Sequence, residues 1–110
     1  MIVQVVKYKT GLTDEEAAKT IAQRAPQYKA LPGLRQKLYI REPETGEYGG
    51  IYVWEDEDSM RDFRESDLAG TIPAAYRVEG EPRVEVFEVV SVLRPEGGIA
   101  RCRATPSTTS

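Results

Sequence analysis

Tyr48-Gly49-Gly50-Ile51-Tyr52-Val53-Trp54-Glu55-Asp56-Glu57-Asp58-Ser59-Met60 is the stretch that decides the fold. Its first seven residues alternate as a strand does, which puts Tyr48, Gly50, Tyr52 and Trp54 on one face. The acidic run that follows, closed by Ser59, suits the positive end of a helix dipole and supplies capping oxygens, so a short helix carrying Met60 and Phe63 inward is predicted there. Upstream, Leu34-Arg35-Gln36-Lys37-Leu38-Tyr39-Ile40-Arg41 also alternates, with Leu34, Leu38 and Ile40 on one face and Arg35, Lys37, Tyr39 and Arg41 on the other. Glu42-Pro43-Glu44-Thr45-Gly46 between the two reads as a hairpin loop, so the strands pair antiparallel.

Working outward, Ile2 to Lys9 is β-branched and apolar on both faces near its start, as a central strand would be. Thr13 and Glu16 form a capping box, and Ala17, Ala18, Ile21, Ala22, Ala25 and Tyr28 recur at helical spacing. Pro26 predicts an irregular last turn, and Leu31-Pro32-Gly33 ends the helix. Gly70 to Pro73 breaks the second helix, Ala74-Ala75-Tyr76 adds a helical turn, and Pro82 to Val92 reads as the last strand. The order β-α-β-β-α-β predicts an α+β, ferredoxin-like fold: a four-stranded antiparallel sheet with both helices on one face. The open face stays apolar, so a second copy of the chain, sheet against sheet, is the expected cover. Residues 1–93 are read as this domain and 94–110 as a flexible tail or an arm that crosses to the partner.

At 110 residues with a net charge of -3, the chain has no bulk attraction for nucleic acid or anionic membranes. No apolar run is long enough to span a bilayer, and the chain opens directly into a strand, so a cytoplasmic protein is expected. The single cysteine, Cys102, lies in the tail and permits no internal disulfide. Histidine is absent, which removes His-ligated haem, His-based zinc sites and every Ser-His or Cys-His catalytic pair. Neither a metal nor a cofactor is expected. The run Glu55 to Asp58 lacks the glycine and distal glutamate of a calcium loop and is read as a helix cap.

The candidate binding residues surround Gly50. A glycine among Tyr52 and Trp54 leaves a hollow suited to a flat apolar ligand, and Met60 and Phe63 could roof it while also filling the core. The stripe of Arg35, Lys37, Tyr39 and Arg41 is expected to be solvated or to make a salt-bridged dimer contact, with the capacity to hold an anion if it faced a cavity. Glu88, among Val84, Val86 and Val90, is expected to be a partly buried carboxylate, a base or an ion-pair partner. Tyr76 is a weaker candidate at the pocket mouth. No residue is assigned a catalytic role.

Three pieces carry a resemblance to a known family: Leu31-Pro32-Gly33-Leu34, Gly49-Gly50-Ile51-Tyr52 with Trp54, and Glu55-Asp56-Glu57-Asp58-Ser59. Over about residues 2 to 92 the chain resembles the YdhR-like monooxygenases of the dimeric α+β barrel superfamily. The resemblance implies a homodimer with facing sheets and, in each subunit, a pocket between sheet and helices. It also implies cofactor-independent oxygenation of an aromatic or hydrophobic small molecule, by deprotonating it and letting the anion reduce oxygen. In some relatives a tryptophan, an asparagine, a tyrosine and an arginine line the pocket. This chain has no asparagine, so that set does not transfer as a whole. The alternative is a non-catalytic small-molecule-binding or stress-related homodimer. An isomerase or cyclase would need Glu88 with Arg41 or Tyr39.

Overall fold

The β-branched opening segment forms β1 (Ile2–Thr10), the central strand that the sequence predicts. A computed structural model describes residues 1–96 of the chain; Cys102 and the tail beyond Glu96 lie outside the described residues. Thr13 caps α1 (Asp14–Lys29) through the expected box: its hydroxyl accepts from Glu16 N, and Glu16 Oε1 accepts from Thr13 N. The helix runs on through Pro26 to Lys29, so the irregular turn predicted there is not seen; the proline sits on the exposed side, with Ala30 N donating to its carbonyl.

β2 (Leu34–Arg41) and β3 (Tyr48–Trp54) form the predicted hairpin, closed by Gly46 at φ 77. Asp56 caps α2 (Glu57–Arg64) by accepting from Ser59 N at 2.8 Å. Two single-turn helices follow, α3 (Asp67–Gly70) and α4 (Ile72–Ala75), and then β4 (Val78–Glu88). The four strands are ordered β2-β3-β1-β4, every neighbouring pair antiparallel, which is the ferredoxin-like sheet.

Two details depart from the sequence reading. Leu34 does not share a face with Leu38 and Ile40, because a register shift at Arg35 pairs Leu34 with Trp54 but Gln36 with Val53. One extra residue on that strand reverses the alternation, and Leu34 packs on the helix-side core. The last strand begins at Val78 rather than Pro82 and stops at Glu88 rather than Val92. Its early part is held opposite Lys9 and Thr10 across an irregularity containing Gly80 and Pro82, and it ends where β1 runs out, with Val89 N donating to Met1 O.

The core lies between the sheet and the helices. Trp54 is 0% exposed; it stacks on Tyr52 with centroids 5.8 Å apart, and Phe63 tilts against both rings. Its indole N–H donates to Gln4 Oε1 at 3.0 Å, which satisfies the one polar group of Trp54 and the carbonyl of Gln4, both otherwise costly to bury. On the opposite face, Val3 and Val5 of β1, Ile51 of β3, Leu38 and Ile40 of β2 and Phe87 of β4 form an apolar surface. Leu38 and Phe87 remain 44% and 50% exposed.

Candidate active site

The inner faces of the strands converge on a hollow above Gly50. Gly50 is buried, and a Cβ placed on it would lie 3.2 Å from both Lys37 Cε and Tyr52 Cε1, so the missing side chain is what lets those two cross the strand. Gly49 answers to a stricter demand: a Cβ there would fall 1.9 Å from the Val6 carbonyl oxygen. The resulting cavity has a volume of about 250 Å³ and lies between the sheet, α2 and the α3–α4 segment. Its sheet wall is Gln4, Val6, Tyr8, Lys37, Tyr39 and Tyr52; Tyr28 of α1, Phe63 of α2, Ile72 and Tyr76 close the helix side.

Two members of the β2 stripe, Lys37 and Tyr39, belong to this wall, which corrects for them the expectation of a solvated or dimer-facing surface; Arg35 instead pairs with Glu55 at 3.7 Å. Lys37 pairs with Tyr52 and Tyr39 with Gly50, and both Tyr52 and Gly50 lie on the helix side. Lys37 Nζ sits 3.3 Å from the ring centroid of Tyr28, 4.3 Å from that of Tyr39 and 4.6 Å from that of Tyr52. Three ring faces thus take the place of a carboxylate partner. Burial, and then the charge of Arg24, pull the Lys37 ammonium from its ordinary 10.5 to about 7. The ring faces act in the opposite direction, because they attract the charged form. Arg24 itself bridges the helices: its guanidinium lies 5.9 Å from the centroids of both Tyr28 and Tyr76, and its terminal nitrogens donate to Thr71 Oγ1 and Leu68 O.

The tyrosines around Lys37 are held in their neutral form. Burial first, then neighbouring phenols, lifts Tyr8 and Tyr52 far above the usual range, pushes Tyr76 up to about 12 and raises Tyr39. Among the described residues, the buried Tyr28 and Tyr76 hydroxyls have no hydrogen-bond partner, although Tyr28 is close enough to perturb Tyr52. Among the described residues, no aspartate or glutamate lines this cavity. The wall therefore presents O–H and N–H donors to whatever occupies it.

Of the residues singled out from sequence, Gly50, Tyr52, Tyr39 and Phe63 border the cavity, and so does Tyr76. Trp54 stands one ring behind it, stacked on Tyr52, and borders a separate hollow with Leu31, Pro32 and Ser59. Met60 is buried in the core and does not line the cavity. Arg41 is exposed at the hairpin end of β2. Glu88 is exposed too, which corrects its reading as a partly buried carboxylate: it shares a face with Val84 and Val86, but this end of the edge strand β4 is uncovered, and those valines are 52% and 45% exposed. Gln4, Tyr8 and Tyr28 were not singled out for a site. Their signal was a polar or aromatic residue at an inward period of an otherwise apolar element.

The family described as Putative mono-oxygenase ydhR matches residues 2–93. The chain belongs to this family. Among curated proteins, none matches it. Several solved structures share the family's fold. SnoaB, a cofactor-independent oxygenase from Streptomyces nogalater, superposes with a TM-score of 0.66 at 19% identity over 84% of this chain and 95% of its own. A putative antibiotic biosynthesis monooxygenase from Caulobacter crescentus gives 0.66 at 23% identity, over 82% of this chain and 90% of that one. A dimeric ferredoxin-like protein of unknown function from Thermobifida fusca gives 0.64 at 12% identity, over 80% and 90%. At these identities the likeness extends to the fold.

Proposed function

We propose that this YdhR-family chain is a cofactor-independent monooxygenase acting on an aromatic or hydrophobic small molecule. The observation that carries the reading is the tyrosine-lined cavity above Gly50, in a chain whose fold is also that of a cofactor-independent oxygenase. Flat ring faces on Tyr28, Tyr39, Tyr52 and Phe63 suit a flat ligand, and neutral hydroxyls suit one that develops negative charge. In such a reaction the substrate anion supplies the electrons to oxygen, while the protein binds, orients and excludes water. The active form is a homodimer joined through the open sheet face, since Leu38 and Phe87 leave that face apolar and a fold relative is dimeric. The test is oxygen uptake with a panel of phenols, anthrones and quinols, comparing wild type with Gly50→Leu, which fills the cavity. Uptake by wild type alone supports the proposal. Saturable binding with no oxygen uptake would replace it with the non-catalytic binding homodimer.

A further inference from the structure

We propose that Lys37 is the proton acceptor and counter-ion of this cavity, and that the cavity takes aromatic molecules bearing an ionisable O–H or an acidic C–H beside the ring, binding them as anions. The assignment rests on the small-molecule reading above but not on oxygenation. Three observations meet at this residue. Lys37 lines the cavity and is held over three ring faces with no carboxylate among the described residues to neutralise it, so a bound anion would be its counter-ion. Tyr28 and Tyr76 both line the cavity, and their buried hydroxyls have no hydrogen-bond partner among the described residues, which leaves them free to donate to a ligand. Lys37 also has amine character near neutral pH, because burial and Arg24 disfavour its charge.

The titratable groups around Lys37 include no carboxylate among the described residues. They are Tyr28 and Arg24 of α1, Tyr39 of β2, Tyr52 of β3, Tyr8 of β1, Tyr76 after α4 and Arg64 of α2, with Lys29 of α1 and Arg35 of β2 beside a second hollow that Lys37 also borders. The resolved phenol shifts among them are all upward, so these groups donate hydrogen bonds rather than accept the proton. In the proposed step the Lys37 amine lone pair takes the ligand proton. An N–H bond forms, the ligand O–H or C–H bond breaks, and its electron pair stays on the ligand as phenolate or enolate. Nothing is oxidised, and no further reactant is required. The pair that results is an ammonium against an anion, bracketed by tyrosine hydroxyls.

The experiment uses 4-nitrophenol, whose phenolate absorbs in the visible, and 4-nitroanisole, which has the same ring without the proton. Both are titrated into the full-length protein and into Lys37→Met, at a pH where free 4-nitrophenol is mostly neutral. The expected result is a phenolate band on binding to wild type, its loss in Lys37→Met, and affinity for 4-nitrophenol weakened by roughly thirtyfold, as for removing one partner of a buried charge pair. The anisole should bind both proteins alike. A neutral-phenol spectrum on wild type, or a phenolate band retained in Lys37→Met, would overturn the role of Lys37 and leave the pocket reading standing. No binding of either probe to either protein would overturn both.

Discussion

Replacing Lys37 with methionine should stabilise the fold while removing the charge from the cavity. A fall of the Lys37 pKa from 10.5 to about 7 sets a ceiling of about 5 kcal/mol against the buried ammonium. Three ring faces return about 0.5–1 kcal/mol each, which leaves about 3 kcal/mol at pH 7. Methionine matches the lysine stem in length and fills the same tyrosine cage, so little packing is lost. The sign with pH is fixed by linkage. The folded pKa lies below the unfolded one, so between the two the unfolded chain binds more protons and wild-type stability rises with pH. The advantage of Lys37→Met, about 2–4 kcal/mol at pH 7, should therefore shrink by about 1–2 kcal/mol at pH 9. Urea denaturation of both proteins at the two pH values, at matched protomer concentration, measures it. A variant less stable than wild type at pH 7, or a difference that does not move with pH, would refute the reasoning. The ring faces would then offset the burial penalty in full.

Other substitutions test separate contacts. Gly49→Ala should cost more than about 3 kcal/mol, because its Cβ meets a backbone carbonyl, whereas Gly50→Ala should cost about 1 kcal/mol, because it meets the movable ends of Lys37 and Tyr52; thermal unfolding of both separates them. Gln4→Met should lose about 1–3 kcal/mol by leaving the Trp54 indole N–H buried and unpaired, with a shift in Trp54 emission as the accompanying sign. Phe87→Glu, on the open sheet face, should convert the proposed homodimer to monomer in light scattering at micromolar protomer without changing the circular dichroism of the domain; an unchanged mass would remove that face from the interface.

Much of the fold was legible because its signals are local. The stretch from Tyr48 to Met60 carries strand alternation, an acidic cap and the inward Met60 within thirteen positions, with Phe63 following, and each feature stands where the sequence places it. The site was less legible, and Lys37 shows why. In an alternating strand with leucine and isoleucine on one side, charged residues read as outward-facing. In a sheet whose two faces are both apolar, that rule has no purchase. Of the three ring faces that accept Lys37, only that of Tyr39 is local; those of Tyr28 and Tyr52 come from other elements, so the pattern around Lys37 does not announce them. The bulge at Arg35 is a property of pairing with β3 and leaves no mark on β2 alone. Glu88 failed for a related reason: sharing a face with valines implies burial only where something covers that face, and the Val84 to Glu88 end of β4 is exposed.

The central claim is that the space above Gly50 binds an aromatic molecule, and Trp54 is placed to report on it. It is the sole tryptophan of the chain and stacks on Tyr52, which forms part of the cavity wall. The measurement is a titration of Trp54 fluorescence with 2-naphthol in wild type and in Gly50→Leu, with the circular dichroism of both proteins recorded beforehand. Saturable quenching in wild type, abolished by the leucine in an otherwise folded protein, is the predicted result. Quenching that survives Gly50→Leu unchanged would place the binding site elsewhere and contradict the account.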